Sequence, residues 1–227
     1  MAAKNRLKVT KGPERVRRDP ERTRARILEA ARVEFARCGL GGARIDQITA
    51  RAGSNKRMIY YYFGNKEALF LAALESAYEH IRKAEQSLKL TDLDPDEGMR
   101  HLVQFTWEYY LAHPEFITLL NSENLHRARH LKKSKEIRAL HSPLVAMIEA
   151  LLARGQRAAV FRRGVDAVQL YISIAALGYF YLSNNHTLST IFGRDLMRPR
   201  ALKQRLAHMT ELVLGYQIGR ASYRERV

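Results

Sequence analysis

Residues 48–69 decide the fold, and they read ITARAGSNKRMIYYYFGNKEAL. Gly53 interrupts the apolar pattern that comes before it, and Ser54-Asn55 then offers a side-chain cap for a new helix. Ile59 and Phe63 follow at helical spacing. The stretch therefore predicts two helices, each of under about ten residues, joined by a tight turn that contains glycine.

Residues 20–39 predict a longer helix on which the two short ones pack. Asp19 can cap it, Pro20 suits the first helical position, and Gly39 stands where a left-handed cap would end it. Two short helices packed on a longer one are the parts of a helix-turn-helix domain. We place this domain at residues 20–66.

The rest of the chain also reads as helices. Apolar residues recur at helical spacing from Asn65 to about Leu90 without a break, so this helix is expected to couple two units. The polar run 183–187 is predicted to be a loop that connects helices or bounds a pocket. Further helices are predicted over 94–113, 115–125, 134–154, 166–183 and 199–217. No segment alternates with a period of two, so the predicted fold is all-α, with an N-terminal three-helix helix-turn-helix domain and a larger C-terminal helical domain at 67–220.

The charge is uneven along the chain. The net charge is +16, and residues 1–64 hold 16 Lys and Arg against 6 Asp and Glu. A basic excess in one small region predicts a polyanion partner, either nucleic acid or membrane headgroups. Residues 1–19 predict a basic flexible arm, which either contacts DNA or only solubilises the chain. Its basic residues are Lys4, Arg6, Lys8, Lys11, Arg15, Arg17 and Arg18.

Other classes of protein find little support. Cys38 is the only cysteine, which excludes an intrachain disulfide and a multi-thiolate zinc site and favours a reducing, cytoplasmic location. No apolar run is long enough for a signal peptide or a spanning helix, so we expect no membrane insertion. Nucleophile elbows, phosphate loops and metalloprotease motifs are missing, so neither an enzyme nor a cofactor is expected. A basic helical protein of the membrane surface or the nucleoid is the alternative.

The quoted stretch resembles the DNA-binding domain of the TetR family of bacterial regulators. The resemblance rests on three steps: Ala52-Gly53, then Tyr60 through Phe63 as Tyr-x-x-Phe, then Lys66 through Leu69 as Lys-Glu-x-Leu. It covers about the first 70 residues, and the helical remainder has the length of the family's ligand-binding and dimerisation domain. The resemblance implies a homodimer that binds a palindrome in duplex DNA and is released by a small effector. Repression is our hypothesis, and activation stays open.

The resemblance also implies which residues meet DNA. They are Arg44, Lys56, Arg57, Tyr60, Tyr61, Tyr62 and Lys66. Two of them depart from the family pattern: Arg44 stands near a usual Ser or Thr cap, and Arg57 replaces a small residue. An Arg fork suits guanine O6 and N7, so Arg57 predicts a G-containing half-site. Tyr62 is also a candidate for the core.

The C-terminal domain is expected to dimerise and to bind the effector. Residues 171–181 are apolar nearly all round, which predicts that a partner covers one face, with a fully buried monomeric core as the alternative. The residues predicted for the dimer interface are Tyr171, Ala175, Gly178, Leu206, Met209 and Val213. Aromatic and amide side chains predict either an effector pocket or an ordinary core with a polar edge. The residues are Trp107, Tyr110, Phe116, Asn121 and Asn124. His126 and His130 have a spacing that could hold a metal, but their basic neighbours favour a solvated face, so no metal is expected.

Overall fold

The computed structural model describes residues 19–218, with the side chains of 138–142 and 218 left out. The described residues form ten α-helices and two short 3₁₀ turns, at Leu90–Asp92 and Leu131–Lys133. The helices are α1 (Pro20–Gly42), α2 (Ile45–Ala52), α3 (Lys56–Phe63), α4 (Lys66–Gln86), α5 (Pro95–Ala112), α6 (Pro114–Leu125), α7 (Glu136–Arg157), α8 (Ala167–Ser183), α9 (Asn185–Ile191) and α10 (Pro199–Ile218). The predicted all-α class is confirmed, and the predicted basic arm lies outside the described residues.

The first three helices form the predicted helix-turn-helix domain. The Asp19 carboxylate accepts the backbone N–H groups of Glu21 and Arg22 at 3.0 and 3.2 Å, which is the expected cap. Gly39 does adopt a positive φ of 63°, but it makes a kink and α1 resumes to Gly42. Beyond the kink, Leu40 is buried, and its burial holds this last turn against the domain core.

Helix α4 belongs to both domains. Its N-terminal half packs on α1 and α3, and it also packs on α6 and α7 of the C-terminal domain. It ends at Gln86 rather than near Leu90, because Lys89 takes a left-handed conformation with φ 43° and Leu90 begins a 3₁₀ turn. One continuous helix therefore crosses the predicted boundary at residues 66 and 67.

The C-terminal domain packs α5 against α7, α8 and α10, while α6 lies between α1 and α8. Pro114 separates α5 from α6, as predicted from the His113-Pro114 pair. The predicted loop at 183–187 is wrong, because α9 begins at Asn185. None of the residues of α9 is fully buried, so this helix leaves no apolar periodicity in the sequence.

Candidate DNA-binding surface and effector site

Helix α3 presents one face to solvent because its other face is fixed in the core. Ile59 and Phe63 are buried in the N-terminal domain together with Ile48 of α2. Gly53 makes the turn between the helices with a φ of 55°, and the Asn55 side chain accepts the Met58 N–H at 3.1 Å. The turn and the cap together orient α3 across the end of the domain.

The exposed face of α3 carries two cations and two phenols. Lys56, Arg57, Tyr60 and Tyr61 are exposed, and Tyr61 is 77% exposed. Lys56 Nζ lies 2.8 Å from a carboxylate oxygen of Asp46, and this hydrogen bond and charge raise the pKa of Lys56. Arg57 has no ion-pair partner among residues 19–218. Its guanidinium is therefore available to a ligand outside the protomer.

The remaining predicted DNA contacts lie around α3. Arg44 is exposed immediately before α2, and no side chain caps that helix, as the sequence implied. Lys66 is half-buried at the start of α4, where its Nζ lies 3.5 Å from the Gly41 carbonyl oxygen. Tyr62 is half-buried and packs edge-on against Tyr61 and Phe63. The structure therefore brings the predicted residues to one end of the domain, with Tyr62 partly in the core.

The sequence matches known proteins in both domains. Residues 27–73 match a family model described as bacterial regulatory proteins of the tetR family, and residues 95–213 match a tetracyclin repressor-like C-terminal domain. The chain belongs to the tetR family. It is a DNA-binding transcriptional regulator and not an enzyme.

Named relatives support this membership. The chain is 44% identical over 194 residues to the HTH-type transcriptional repressor NicS of Pseudomonas putida, a match that covers 86% of this chain and 92% of that one. It is 44% identical over 108 residues to the repressor SCO4008 of Streptomyces coelicolor, covering 48% and 53% of the two chains.

Solved structures share the fold of this regulator. The transcriptional regulator SCO4942 of Streptomyces coelicolor superimposes with a TM-score of 0.62 at 25% identity, covering 84% of this chain and 96% of that one. FadR of Bacillus subtilis, solved in complex with stearoyl-CoA, has a TM-score of 0.62 at 14% identity, covering 85% and 98%. Within residues 19–218, no helix has the length and apolar character needed to cross a membrane.

The residues predicted for the effector pocket separate into two groups. Trp107, Tyr110 and Phe116 are buried, and the Tyr110 ring stacks on Phe116 with centroids 6.0 Å apart. Asn121 and Asn124 are exposed on α6, where Asn121 accepts a hydrogen bond from the Tyr179 hydroxyl. The structure therefore joins the aromatic residues in the interior and leaves the amides at its edge.

Sequence reasoning missed a buried ion pair beside these aromatic residues. Arg82 and Glu85 of α4 are each 3% exposed, and Arg82 Nη1 lies 2.5 Å from the Glu85 carboxylate. Arg82 Nη2 donates to the Tyr171 hydroxyl at 2.8 Å. A signal was present, because Glu85 follows the buried Ile81 by four residues and so continues the apolar stripe of the helix.

The two domains are also bonded to each other through α6. Arg32 of α1 forms an ion pair with Glu115, and the buried Leu40 N–H donates to the Ser122 hydroxyl at 3.1 Å. A cavity of about 280 Å³ lies at the same junction, lined by residues of α1, α4, α5 and α6. Helix α1 is therefore in direct contact with both α4 and α6, so a shift of either helix changes the contacts of α1.

The His126 and His130 pair does not form the predicted solvated face. His130 is buried, with Nδ1 2.6 Å from the Glu123 carboxylate, and Glu123 also accepts the N–H groups of His130 and Leu131. His126 Nδ1 lies 2.6 Å from the Ser122 carbonyl oxygen. These histidines fix the turn after α6.

The residues named for the dimer interface mostly face inward. Tyr171 contacts Arg82, Gly178 packs on Tyr110, and Met209 and Val213 are buried within the protomer, while Ala175 and Leu206 are half-buried. The residues named for the interface are therefore not the ones that these helices expose.

Helices α8 and α10 expose a different set of apolar residues, of which Phe180 is 58% exposed. A groove of about 450 Å³ runs between the two helices. The exposed apolar residues are Val168, Ile172, Phe180, Leu212 and Tyr216. Helix α8 is apolar on all sides, so its sequence pattern did not distinguish the two faces.

Proposed function

We propose that this regulator is a homodimeric repressor that binds a palindromic operator through α3 and releases it when a small effector enters the C-terminal domain. The observation that carries the proposal is the exposed face of α3. It presents cations and phenols to solvent, while the opposite face of the helix is fixed in the core by Ile59 and Phe63. Such a regulator acts at the chromosome, in the bacterial cytoplasm.

The side chains of α3 divide by the part of DNA that they suit. Arg57 lies in the first turn, the part of a recognition helix that reaches base edges, and its fork matches guanine. Tyr60, Tyr61 and Lys66 offer hydroxyl and ammonium donors to phosphate oxygens, which position the protein without reading sequence. Lys56 is partly neutralised by Asp46, so Arg57 carries the larger share of base recognition in this proposal.

Dimerisation supplies the second half-site. The exposed apolar residues of α8 and α10 are grouped on two helices that share a groove, and a grouped apolar patch, unlike single exposed apolar residues, marks an interaction surface. A twofold axis through this face makes the contact self-complementary and presents two copies of α3 to one palindrome. The tetR-family relatives named as repressors, NicS and SCO4008, support repression as the outcome.

Release by an effector requires a path between the domains. Helix α4 is that path, because its first half packs on α1 and α3 and its second half carries Arg82 and Glu85 into the C-terminal interior. Helix α6 adds a second connection through Glu115 and Ser122. By linkage, an effector that weakens operator binding must itself bind the DNA-bound dimer more weakly, with couplings typically of about 1–3 kcal/mol.

The test is a selection of bound sequences from random duplex DNA, repeated with Lys56→Ala and Arg57→Ala over a series of salt concentrations. We expect a palindrome whose base preferences relax in the variants, with Arg57→Ala costing about 1–3 kcal/mol. Arg163→Ala is the matched control, because Arg163 is exposed in the segment between α7 and α8. Binding that is sequence-independent and strongly salt-dependent would contradict the proposal and favour a nucleoid or membrane surface.

A further inference from the structure

The ion pair of Arg82 and Glu85 is costly for a protein interior. Both groups lose their water, and the desolvation of two charges can exceed the attraction between them. Burial raises the pKa of Glu85 to about 7, against the opposing effect of Arg82. Apolar residues at these two positions would therefore stabilise the folded protein at least as well as the ion pair does.

The guanidinium of Arg82 is not fully satisfied. Its Nη1 and Nη2 bond to Glu85 and Tyr171, but its buried Nε has no hydrogen-bond partner in the described structure. An unpaired charged donor in the interior is unfavourable until an acceptor reaches it. A bidentate carboxylate is the acceptor that the planar guanidinium fits best.

Aromatic side chains lie near this cation. Tyr171 lies under it, with the Arg82 Cζ 5.4 Å from the ring centroid. Tyr78 meets Phe116 edge-on at 5.4 Å, and Tyr110 stacks on the same phenylalanine. A flat ring with a negative group matches such surroundings in both shape and charge.

We propose that Arg82 anchors the carboxylate of an aromatic acid, which takes the place that Glu85 occupies in the unliganded protein. This inference rests on the proposed function and names the chemical class of its effector. In the unliganded protein the Glu85 carboxylate occupies the position of the ligand carboxylate. When the ligand displaces Glu85, the ion pair within the protein is replaced by an ion pair between Arg82 and the ligand.

The path of entry lies beside α7. A cavity of about 30 Å³ adjoins the ion pair, and Pro143, Leu144 and Met147 line its other side. Pro143 stands inside α7 and lacks a backbone N–H, so the helix has a hydrogen bond fewer at that point. An entering ring must displace Glu85 and this wall together, and displacement of Glu85 acts directly on α4.

The experiment titrates benzoate and its uncharged counterpart benzamide into the full-length dimer. Trp107 is the only tryptophan of the chain and lies on α5 one turn before Tyr110, so its fluorescence reports binding, with calorimetry as a second readout. We expect benzoate to bind more tightly than benzamide by about tenfold, the factor that corresponds to 1.4 kcal/mol.

Two variants of the ion pair should change the binding of benzoate in different ways. Glu85→Gln removes the competing carboxylate, so benzoate affinity should rise by about tenfold. The double variant Arg82→Gln with Glu85→Gln keeps the interior neutral, folds without a lone charge, and should bind benzoate and benzamide equally. Glu79→Gln is the matched control, since Glu79 is exposed on the same helix in an ion pair with Lys83.

The proposal is overturned if wild type and Glu85→Gln show no preference for benzoate up to saturating concentrations, or if the double variant keeps that preference. Operator selection with the same preparations separates this failure from failure of the proposed function. A dimer that binds its palindrome but ignores the carboxylate contradicts this inference alone.

Discussion

The exposed face of α3 and the buried half of α4 both carry arginines, and the two positions could hardly differ more in their surroundings. Arg57 is exposed and has no ion-pair partner in the described chain, whereas Arg82 is buried against the Glu85 carboxylate and the Tyr171 ring. A charge in water contributes little to folding, and a buried charge must be paired. The comparison teaches that the surroundings of an arginine decide its use: in our two proposals, Arg57 recognises DNA outside the protomer and Arg82 responds to an effector inside it.

The largest expected effect is on the free energy of unfolding, which should fall far more when Arg82 is replaced than when Arg57 is. At a pH above the Glu85 pKa of about 7, Arg82→Met leaves the buried Glu85 carboxylate without its counter-ion and should lower the free energy of unfolding by about 3–5 kcal/mol. Arg57→Met removes an exposed charge and should change it by no more than about 0.5 kcal/mol. Urea unfolding at one fixed protein concentration measures both, because dimer dissociation adds to apparent stability. Equal losses in the two variants would break the comparison.

The pH dependence of stability tests the buried carboxyl. Because burial raises the folded-state pKa of Glu85 from 4.5 to about 7, the folded protein holds this proton more tightly than the unfolded chain does. The contribution of Glu85 is therefore full below about pH 4.5 and is lost as the pH rises to about 7. The stability of Glu85→Gln relative to that of wild type should therefore rise over this interval, as measured by unfolding at several pH values. Glu79→Gln is the control, and a parallel curve for Glu85→Gln would refute the assignment.

The junction between the two regions should show an intermediate effect. Ser122→Ala leaves the buried Leu40 N–H without its acceptor, at a cost of about 1–3 kcal/mol in unfolding free energy. Ser87→Ala is the control, because Ser87 is exposed at the end of α4 and its hydroxyl donates to the Ala84 carbonyl of the same helix. If both serine variants unfold alike, the α1–α6 connection does not hold the domains together as described.

The smallest expected effect concerns the ion pair on the DNA-binding surface. Lys56 and Asp46 are both more than half exposed, so Asp46→Asn should change the unfolding free energy by less than about 1 kcal/mol, and less at high salt. Chemical unfolding at two salt concentrations measures it. A loss as large as that of Ser122→Ala would show that this surface is built for stability rather than for recognition.

The sequence predicted the parts of the molecule that local chemistry determines. The Asp19 cap, the turn at Gly53 and the Asn55 cap involve residues within a few positions of one another, and each was found where it was expected. The exposed face of α3 also followed from the sequence, because its few apolar residues are all needed for the core.

Features that depend on distant contacts were not predicted. Arg82 and Tyr171 are 89 positions apart in the sequence, so no pattern of neighbouring residues could predict their hydrogen bond. Met209 was assigned to a dimer face although it fills the protomer's own core, because the pattern of α10 does not show which side of that helix meets α5. Helix α9 escaped notice since none of its residues is fully buried.

Operator affinity measured for two variants in parallel tests the central claim most directly. Fluorescence anisotropy with the selected palindrome, without effector, would compare Arg57→Ala with the neutral pair Arg82→Gln and Glu85→Gln. The account predicts that Arg57→Ala loses about 1–3 kcal/mol of specific binding while the neutral pair binds as wild type does. Unchanged binding by Arg57→Ala, or an equal loss in the neutral pair, would contradict it.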